Sequence, residues 1–352
     1  MIPRVVSVEN IDKALRDTYG PKMHIARDKA IAGELRGKWR IVNPDDRPSP
    51  KPSADLKVAV RAQEAKREKK ARIAWVQDNG IDWRGGAEFS ARQVMAIGER
   101  CGFHIEMVTP AEFAADSLVN ADLIVLNNLW HFSVEQMKAL LAVLFERRTP
   151  YVKYEHDHRE LTRPEFSRRL FTHAAANVFL SPVHRDNHRE GLGATGECIP
   201  LAIDVDAFCP VPGVARVPGT ALVCNVRTIK TWDRLTSYIA EHPEIRFTVL
   251  AATDVIRGRN VKTVPPVLPE KMPALYSAHE FLVHLPDAWC AGERVVLEAA
   301  LCGAKIVANE RVGHASWGWD LGDTAALRER LIDAPYEFWR LIDGILSKRA
   351  AA

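Results

Sequence analysis

IAWVQDNGIDWRGGAEFSARQVMAIGERCGFHIEMVT (73–109) holds the pattern on which the fold reading turns. IAWV (73–76) is a short apolar run of strand length, and DNGIDWRGGAE (78–88) is a glycine-rich loop. FSARQVMAIGERC (89–101) has apolar residues at helical spacing and stops at Gly102, and FHIEMVT (103–109) alternates as a strand does. Strand, loop, helix and strand in that order is the unit of a parallel sheet covered on both faces.

The unit repeats. ADLIVLNN (121–128), PYVKYEH (150–156) and ANVFLSP (176–182) read as further strands, and VEQMKALLAVLFERR (134–148) as an amphipathic helix. IPLAIDVDAFCPVPGVARVPG (199–219) breaks the rhythm with proline and glycine, which places a domain boundary there. A second series follows in TALVCNV (220–226), RFTVLAA (246–252), HEFLVHL (279–285) and KIVAN (305–309). PYEFWRLIDGILSKRA (335–350) closes the chain as an amphipathic helix. The expected fold is α/β, with two doubly wound, Rossmann-like domains over 71–210 and 211–352 and a cleft between their strand ends.

Residues 1–70 differ in character. NPDDRPSPKP (43–52) reads as an extended linker, and ADLKVAVRAQEAKREKKAR (54–72) as a helix with a weak apolar stripe and a basic face. That face either covers a domain edge or contacts an anionic acceptor.

Bulk properties narrow the class. A length of 352 residues suits two domains, and 47% hydrophobic with 26% charged residues supports ordinary cores. The net charge of +3 does not mark a dedicated nucleic-acid binder and does not exclude one. The six cysteines are scattered without a C-x-x-C pair, which argues against a zinc ribbon or a disulfide scaffold. No apolar run reaches membrane-spanning length, and MIPRVVSVENIDKALRD lacks a signal-peptide core, so a cytoplasmic location is expected.

Several segments, in their order and spacing, resemble the GT-B retaining glycosyltransferases of the family 4-like, E-x7-E type, over roughly residues 71–330. GGAEFSARQVMAIGERCGFHIEMVTP (85–110) is similar to that family's first glycine-rich loop, helix and second strand. SPVHRDNHRE (181–190) resembles its serine-initiated helix, and IPLAIDVDAF (199–208) its interdomain element, with Leu201 and Ala202 in place of Asn and Gly. MPALYSAHEFLVHL (272–285) and ERVVLEAALCGAKIVANERVG (293–313) resemble the helices and strands around its donor loop. With Glu298 as the second glutamate of E-x7-E, the first would fall at position 290, which holds cysteine.

The resemblance implies transfer of a sugar from a nucleotide-sugar, a UDP-sugar such as UDP-glucose, to an acceptor hydroxyl with retention of configuration. It implies no protein nucleophile and no tightly bound cofactor. Breaking the sugar–phosphate bond builds charge on the diphosphate, which fixed positive groups stabilise. Arg227 and Lys230, in NVRTIK (225–230), are expected there, so no metal is expected to be required. Gly292, with its close backbone approach, and the helix start after it would receive phosphate oxygens. Glu298 sits in the apolar run VVLEAAL and needs donors, either ribose hydroxyls or the Arg294 side chain one turn away. Glu293 is a candidate for the sugar hydroxyls or for the helix N-terminus, and Gly85 and Gly86 for a close-approach loop to phosphate or acceptor. In the family a histidine ending the fourth strand lies near the transferred sugar; His156 is the counterpart, or His158 if the register slips.

The acceptor is expected to be a glycan, a lipid-linked sugar or a hydroxymethylated base in DNA. Two alternatives stand beside this reading. One is a GT-B protein that binds a nucleotide-sugar or glycan without turnover, motivated by Cys290. The other is a metal-dependent hydrolase built on His156-Asp157-His158 and His184-x3-His188, although histidines at i,i+4 on a helix are often plain surface residues.

Overall fold

The computed structural model describes residues 71–351 except 81, 84, 159–163, 225–231 and 253–255. The basic segment 54–70, Arg227 and Lys230 therefore lie outside the described residues.

The first series forms a six-stranded parallel sheet: β1 (Arg72–Gln77), α1 (Gly86–Arg100), β2 (His104–Val108), β3 (Leu123–Asn127), α2 (Val134–Arg147), β4 (Tyr151–Tyr154), α3 (Pro164–His173), β5 (Ala176–Phe179), α4 (Pro182–Leu192) and β6 (Glu197–Cys198). The strand order is β2-β1-β3-β4-β5-β6. The second series continues with β7 (Val217–Val223), α5 (Asp233–Glu241), β8 (Arg246–Leu250), β9 (Val261–Val264), α6 (Met272–Ala278), β10 (His279–His284), α7 (Arg294–Leu301), β11 (Lys305–Ala308) and α8 (Thr324–Ala351). Its five strands are parallel, in the order β11-β10-β7-β8-β9.

The apolar runs read from the sequence are the sheet centres because parallel strands bury both faces. All five residues of β3 are buried. One apolar cluster lines the inner faces of both sheets, from Ile73 and Trp75 to Leu222 and Leu282, and separate clusters cover the outer face of each. Strand order reverses between β1 and β3 and between β7 and β10, so the open crevices lie at the carboxyl ends of those strands.

Several boundaries differ from the sequence reading. Helix α1 begins at Gly86, inside the presumed loop, with Gly85 as an N-cap that makes no side-chain bond. The structure adds β6, β9 and α3 to the elements read from the sequence; β6 and β9 are short edge strands with little buried surface, and a strand with few apolar positions has little periodicity to read. The terminal helix starts at Thr324 and runs through Pro335, which read as a start signal. Proline inside a helix removes a backbone bond. Burial of Leu327, Leu331 and Ala334 before it, and of Tyr336, Phe338, Trp339 and Ile342 after it, holds the helix together.

That helix returns to the first sheet. Trp339 donates Nε1–H to the Val94 carbonyl at 2.6 Å and stacks on Phe103, with ring centroids 4.5 Å apart. Gly98 lies beneath the Trp339 ring, where a Cβ would collide with the indole.

Candidate functional site

The carboxyl end of the second sheet presents α7, and its first-turn residue Arg294 is the hub. Arg294 Nε donates to Glu298 Oε1 at 2.9 Å. One of its terminal nitrogens donates to Ser90 Oγ on α1 at 2.8 Å and to the Ala202 carbonyl at 2.9 Å. A Cβ added to Gly86 would stand 3.3 Å from Arg294 Cδ, so the start of α1 lies against the same side chain. Gly86, Arg294 and Glu298, separate in sequence, are thus brought together from both halves of the chain. Gly85 adjoins them beside Glu88, whose Oε1 accepts from Asn79 Nδ2 at 2.8 Å.

Glu298 is 7% exposed, and the Tyr276 hydroxyl donates to its Oε2 at 3.1 Å. Arg294 and Glu298 thus form an i,i+4 pair in a nearly buried setting. Each carboxylate oxygen accepts one of these bonds and carries a second lone pair. Burial, with Cys224 and Glu298 nearby, pushes the Tyr276 phenol well up, so it remains a donor.

Glu293 precedes α7 as the N-cap residue without a side-chain capping bond, so any support it gives the helix start is electrostatic. Its Oε1 lies 3.9 Å from His284 Nε2 at the end of β10. Gly292 packs against His314 and Leu180: a Cβ there would stand 2.7 Å from His314 Cε1 and 3.0 Å from Leu180 Cβ. Its role in the structure is close passage between segments, and the first helical amides begin two residues later.

The start of α4 joins this wall. Ser181 Oγ accepts from the His184 amide at 3.3 Å and donates to the Ala291 carbonyl at 2.7 Å. Trp317 Nε1 donates to the Leu180 carbonyl at 3.1 Å.

His156 follows β4 and is partly buried, with both ring nitrogens shielded from solvent and its ring edge-on to Tyr154, centroids 4.3 Å apart. Among the described residues neither ring nitrogen has a hydrogen-bond partner. Burial first, then the charges of Lys153 and Arg294, hold its pKa down at about 3, so the imidazole is neutral near pH 7. Sequence reasoning missed how its backbone is held. Lys153 and Glu155, both fully buried, pair at 2.6 Å. Glu155 Oε1 then accepts from the amides of His156 at 3.1 Å and Asp157 at 2.9 Å. Lys153-x-Glu155 at a spacing of two, on one face of a buried strand, is a signal that could have shown the pair. Asn128, at φ 38°, offers Oδ1 to the His156 amide at 3.3 Å.

The second histidine cluster is not at the surface as the i,i+4 spacing suggested. His184 and His188 are fully buried, and His158 completes a group whose ligating atoms lie within 4.8 Å of one another. His184 Nδ1 accepts from the Leu180 amide at 3.2 Å, so Nε2 must carry the proton and donate to the Asp157 carbonyl at 3.1 Å. Both its nitrogens are committed to backbone, leaving no lone pair for a metal. A groove of about 470 Å³ along α8, walled by Glu197, Cys198, Glu337, Arg340 and Lys348, shares no lining residue with the Arg294 hub.

No family model and no curated protein matches this sequence. Solved structures do share its shape. Sucrose-phosphate synthase from Thermosynechococcus elongatus is similar with a TM-score of 0.59 at 15% identity, over 80% of this chain and 98% of that one. HepE from Anabaena, in complex with UDP-glucose, gives 0.54 at 14% identity, over 80% of this chain and 100% of that one. An alpha-glucosyltransferase in complex with UDP and a 13-mer DNA containing an HMU base gives 0.51 at 11% identity, over 79% of this chain and 100% of that one.

The fold is GT-B-like. In this GT-B-like frame the Arg294 hub lies where α7 of the second sheet meets α1 of the first, with His156 near enough to feel its charge. Among the described residues no helix is long and apolar enough to cross a membrane.

Proposed function

We propose that the chain is a retaining hexosyltransferase that moves a sugar from UDP-glucose or a related UDP-sugar to an acceptor hydroxyl. The observation that carries this reading is the Arg294 hub, which joins Glu298, Ser90 and Gly86. It lies between the two sheets of a fold shared with a UDP-glucose-bound protein. Residues 211–352 form the donor-side domain and 71–210 the acceptor-side domain. Glu298 keeps acceptor capacity for ribose hydroxyls beyond its bonds to Arg294 and Tyr276. Arg227 and Lys230 neutralise the diphosphate together with the segment at Gly292, so turnover needs no cation. Neutral His156 presents a ring nitrogen to a sugar hydroxyl, and Glu293 a carboxylate.

The transfer breaks the anomeric carbon–phosphate oxygen bond and forms the bond to the acceptor oxygen on the same face. The acceptor proton leaves to the departing phosphate, so no protein nucleophile is needed.

For the acceptor, a hydroxymethylated base in DNA is supported by Lys66, Arg67, Lys69 and Lys70 in the basic segment and by the DNA-bound structural neighbour. A base inside a duplex would have to be flipped out. A glycan or lipid-linked sugar is the competing acceptor, and a cytoplasmic site of action fits any of them.

A transfer screen with UDP-, GDP- and ADP-sugars against glycan, lipid and hydroxymethylated DNA acceptors tests the reading. Product with a UDP-sugar is expected. Absence of transfer, together with absence of slow donor hydrolysis, would favour the non-catalytic alternative. For DNA, neutralising Lys66, Arg67, Lys69 and Lys70 should flatten the salt dependence of acceptor binding and leave UDP affinity intact.

A further inference from the structure

The loop between β10 and α7 gathers three side chains, of which only Glu293 has a part in the proposed transfer. His284 ends β10, Cys290 lies in the loop, and Glu293 precedes α7. One ligating atom from each lies within 4.8 Å of the others. His284 and Cys290 are 1% and 3% exposed, and the Glu293 side chain is 14% exposed. Thiolate, imidazole and carboxylate are the donor set of zinc-class cations, which take Cys sulfur at about 2.3 Å and His or carboxylate at about 2.0–2.2 Å.

We propose that His284, Cys290 and Glu293 form a binding site for one thiophilic divalent cation of the zinc class.

The backbone around these ligands is held in place. The Cys290 amide donates to the Arg311 carbonyl at 2.9 Å, and the Gly313 amide donates to the Cys290 carbonyl at 2.9 Å, so Cys290 is bridged to the Val312 segment on both sides. His284 is fixed by the β10–β11 pairing, in register with Ala308. Tetrahedral coordination puts neighbouring ligand atoms roughly 3.3–3.6 Å apart. The His284–Glu293 separation of 3.9 Å needs only a small contraction, which side-chain rotation supplies. Three protein ligands leave a fourth position for water or an anion. The other clustered candidate, His158 with His184 and His188, fails because the His184 nitrogens are both bonded to backbone.

Binding displaces the thiol proton from Cys290 to solvent, leaving a thiolate on the cation. The site itself does not depend on the transferase reading. Its consequence does: a bound cation would engage the Glu293 carboxylate proposed to face the sugar, so zinc should inhibit transfer rather than support it.

The test uses the full chain, reduced and freed of metal. Equilibrium dialysis with Zn²⁺ should give one equivalent per chain, and Co²⁺ should give a thiolate-to-cobalt charge-transfer band. C290S should abolish the band and weaken Zn²⁺ binding by at least about tenfold, and H284Q should weaken it similarly with its thiol intact. C198S/C209S should leave both signals unchanged, since those half-buried cysteines lie elsewhere. Circular dichroism and melting of each variant separate ligand loss from misfolding. No stoichiometric Zn²⁺ binding, or binding and a cobalt band undisturbed in folded C290S and H284Q, overturns the site. UDP calorimetry on the same metal-free protein reports on the transferase reading alone, so the two can fail separately.

Discussion

Arg294 and Glu298 stand one turn apart on α7, bonded Nε to Oε1 at 2.9 Å, while the same guanidinium holds Ser90 of the opposite half at 2.8 Å. A planar fork with five donors can serve a carboxylate, a hydroxyl and a carbonyl at once, which a lysine ammonium on a flexible stem does poorly. The pair is nearly buried, with side chains 12% and 9% exposed. Removing the cation alone strands a carboxylate in a low-dielectric site. R294M is therefore expected to lower stability by about 3–5 kcal/mol. R294K should recover only part of that, measured by urea unfolding. A loss below about 1 kcal/mol for R294M would mean that the hub is solvated and weak.

Glu298 also bears on donor binding. E298A should weaken UDP affinity by about 1–3 kcal/mol, the scale of lost hydrogen bonds to a charged group. E298Q keeps the size but offers one acceptor oxygen, and should fall between wild type and E298A. Unchanged UDP affinity in both variants, by calorimetry, would remove Glu298 as the ribose ligand.

Lys153 and Glu155 should act as a unit. Removing one charge leaves the other buried alone, so K153M is expected to destabilise by about 3–5 kcal/mol. K153M/E155Q should be markedly more stable than K153M, because glutamine Oε1 can still accept from the His156 and Asp157 amides. A double-mutant cycle on unfolding free energies checks this, and additive single effects would show that the pair is not coupled.

Histidines with solvent-shielded rings set the acid limit. The pKa values of His156 and His314 are each held down at about 3, mainly by burial, and that of His184 is lowered as well. The unfolded chain protonates such residues near pH 6.5, so between about pH 6.5 and 3 it binds more protons than the folded chain. Stability is then fully present above the unfolded value and is lost as pH falls, at up to about 1.4 kcal/mol per pH unit for each histidine. Unfolding free energies at pH 7.5, 6.0 and 5.0 should decline accordingly, and H314Q should shallow the slope. An identical slope in H314Q would assign the acid sensitivity to other groups.

The sequence by itself determined the two-series α/β architecture, because strands buried on both faces must be continuous apolar runs and the helices between them must keep one apolar stripe. LIVLN at β3 and FLVH in β10 could scarcely be anything else in that setting. It also singled out Gly86, Arg294, Glu298 and His156 as residues needing an explanation. Only the tertiary structure decided what those residues meet. The bonds of Arg294 to Ser90 and Ala202 span sequence separations of 204 and 92 residues, and local periodicity carries no information about such contacts. The burial of His184 was equally hidden, since an i,i+4 spacing is the same whether a helix face looks to water or to Phe179. Pro335 gave the opposite misreading: its local rule marks a helix start, and burial of the helix on both sides of the proline, with Trp339 bonded to α1 beyond it, overrode that rule. Local rules govern which elements form; the contacts that make a site arise between elements, where distance along the chain no longer matters.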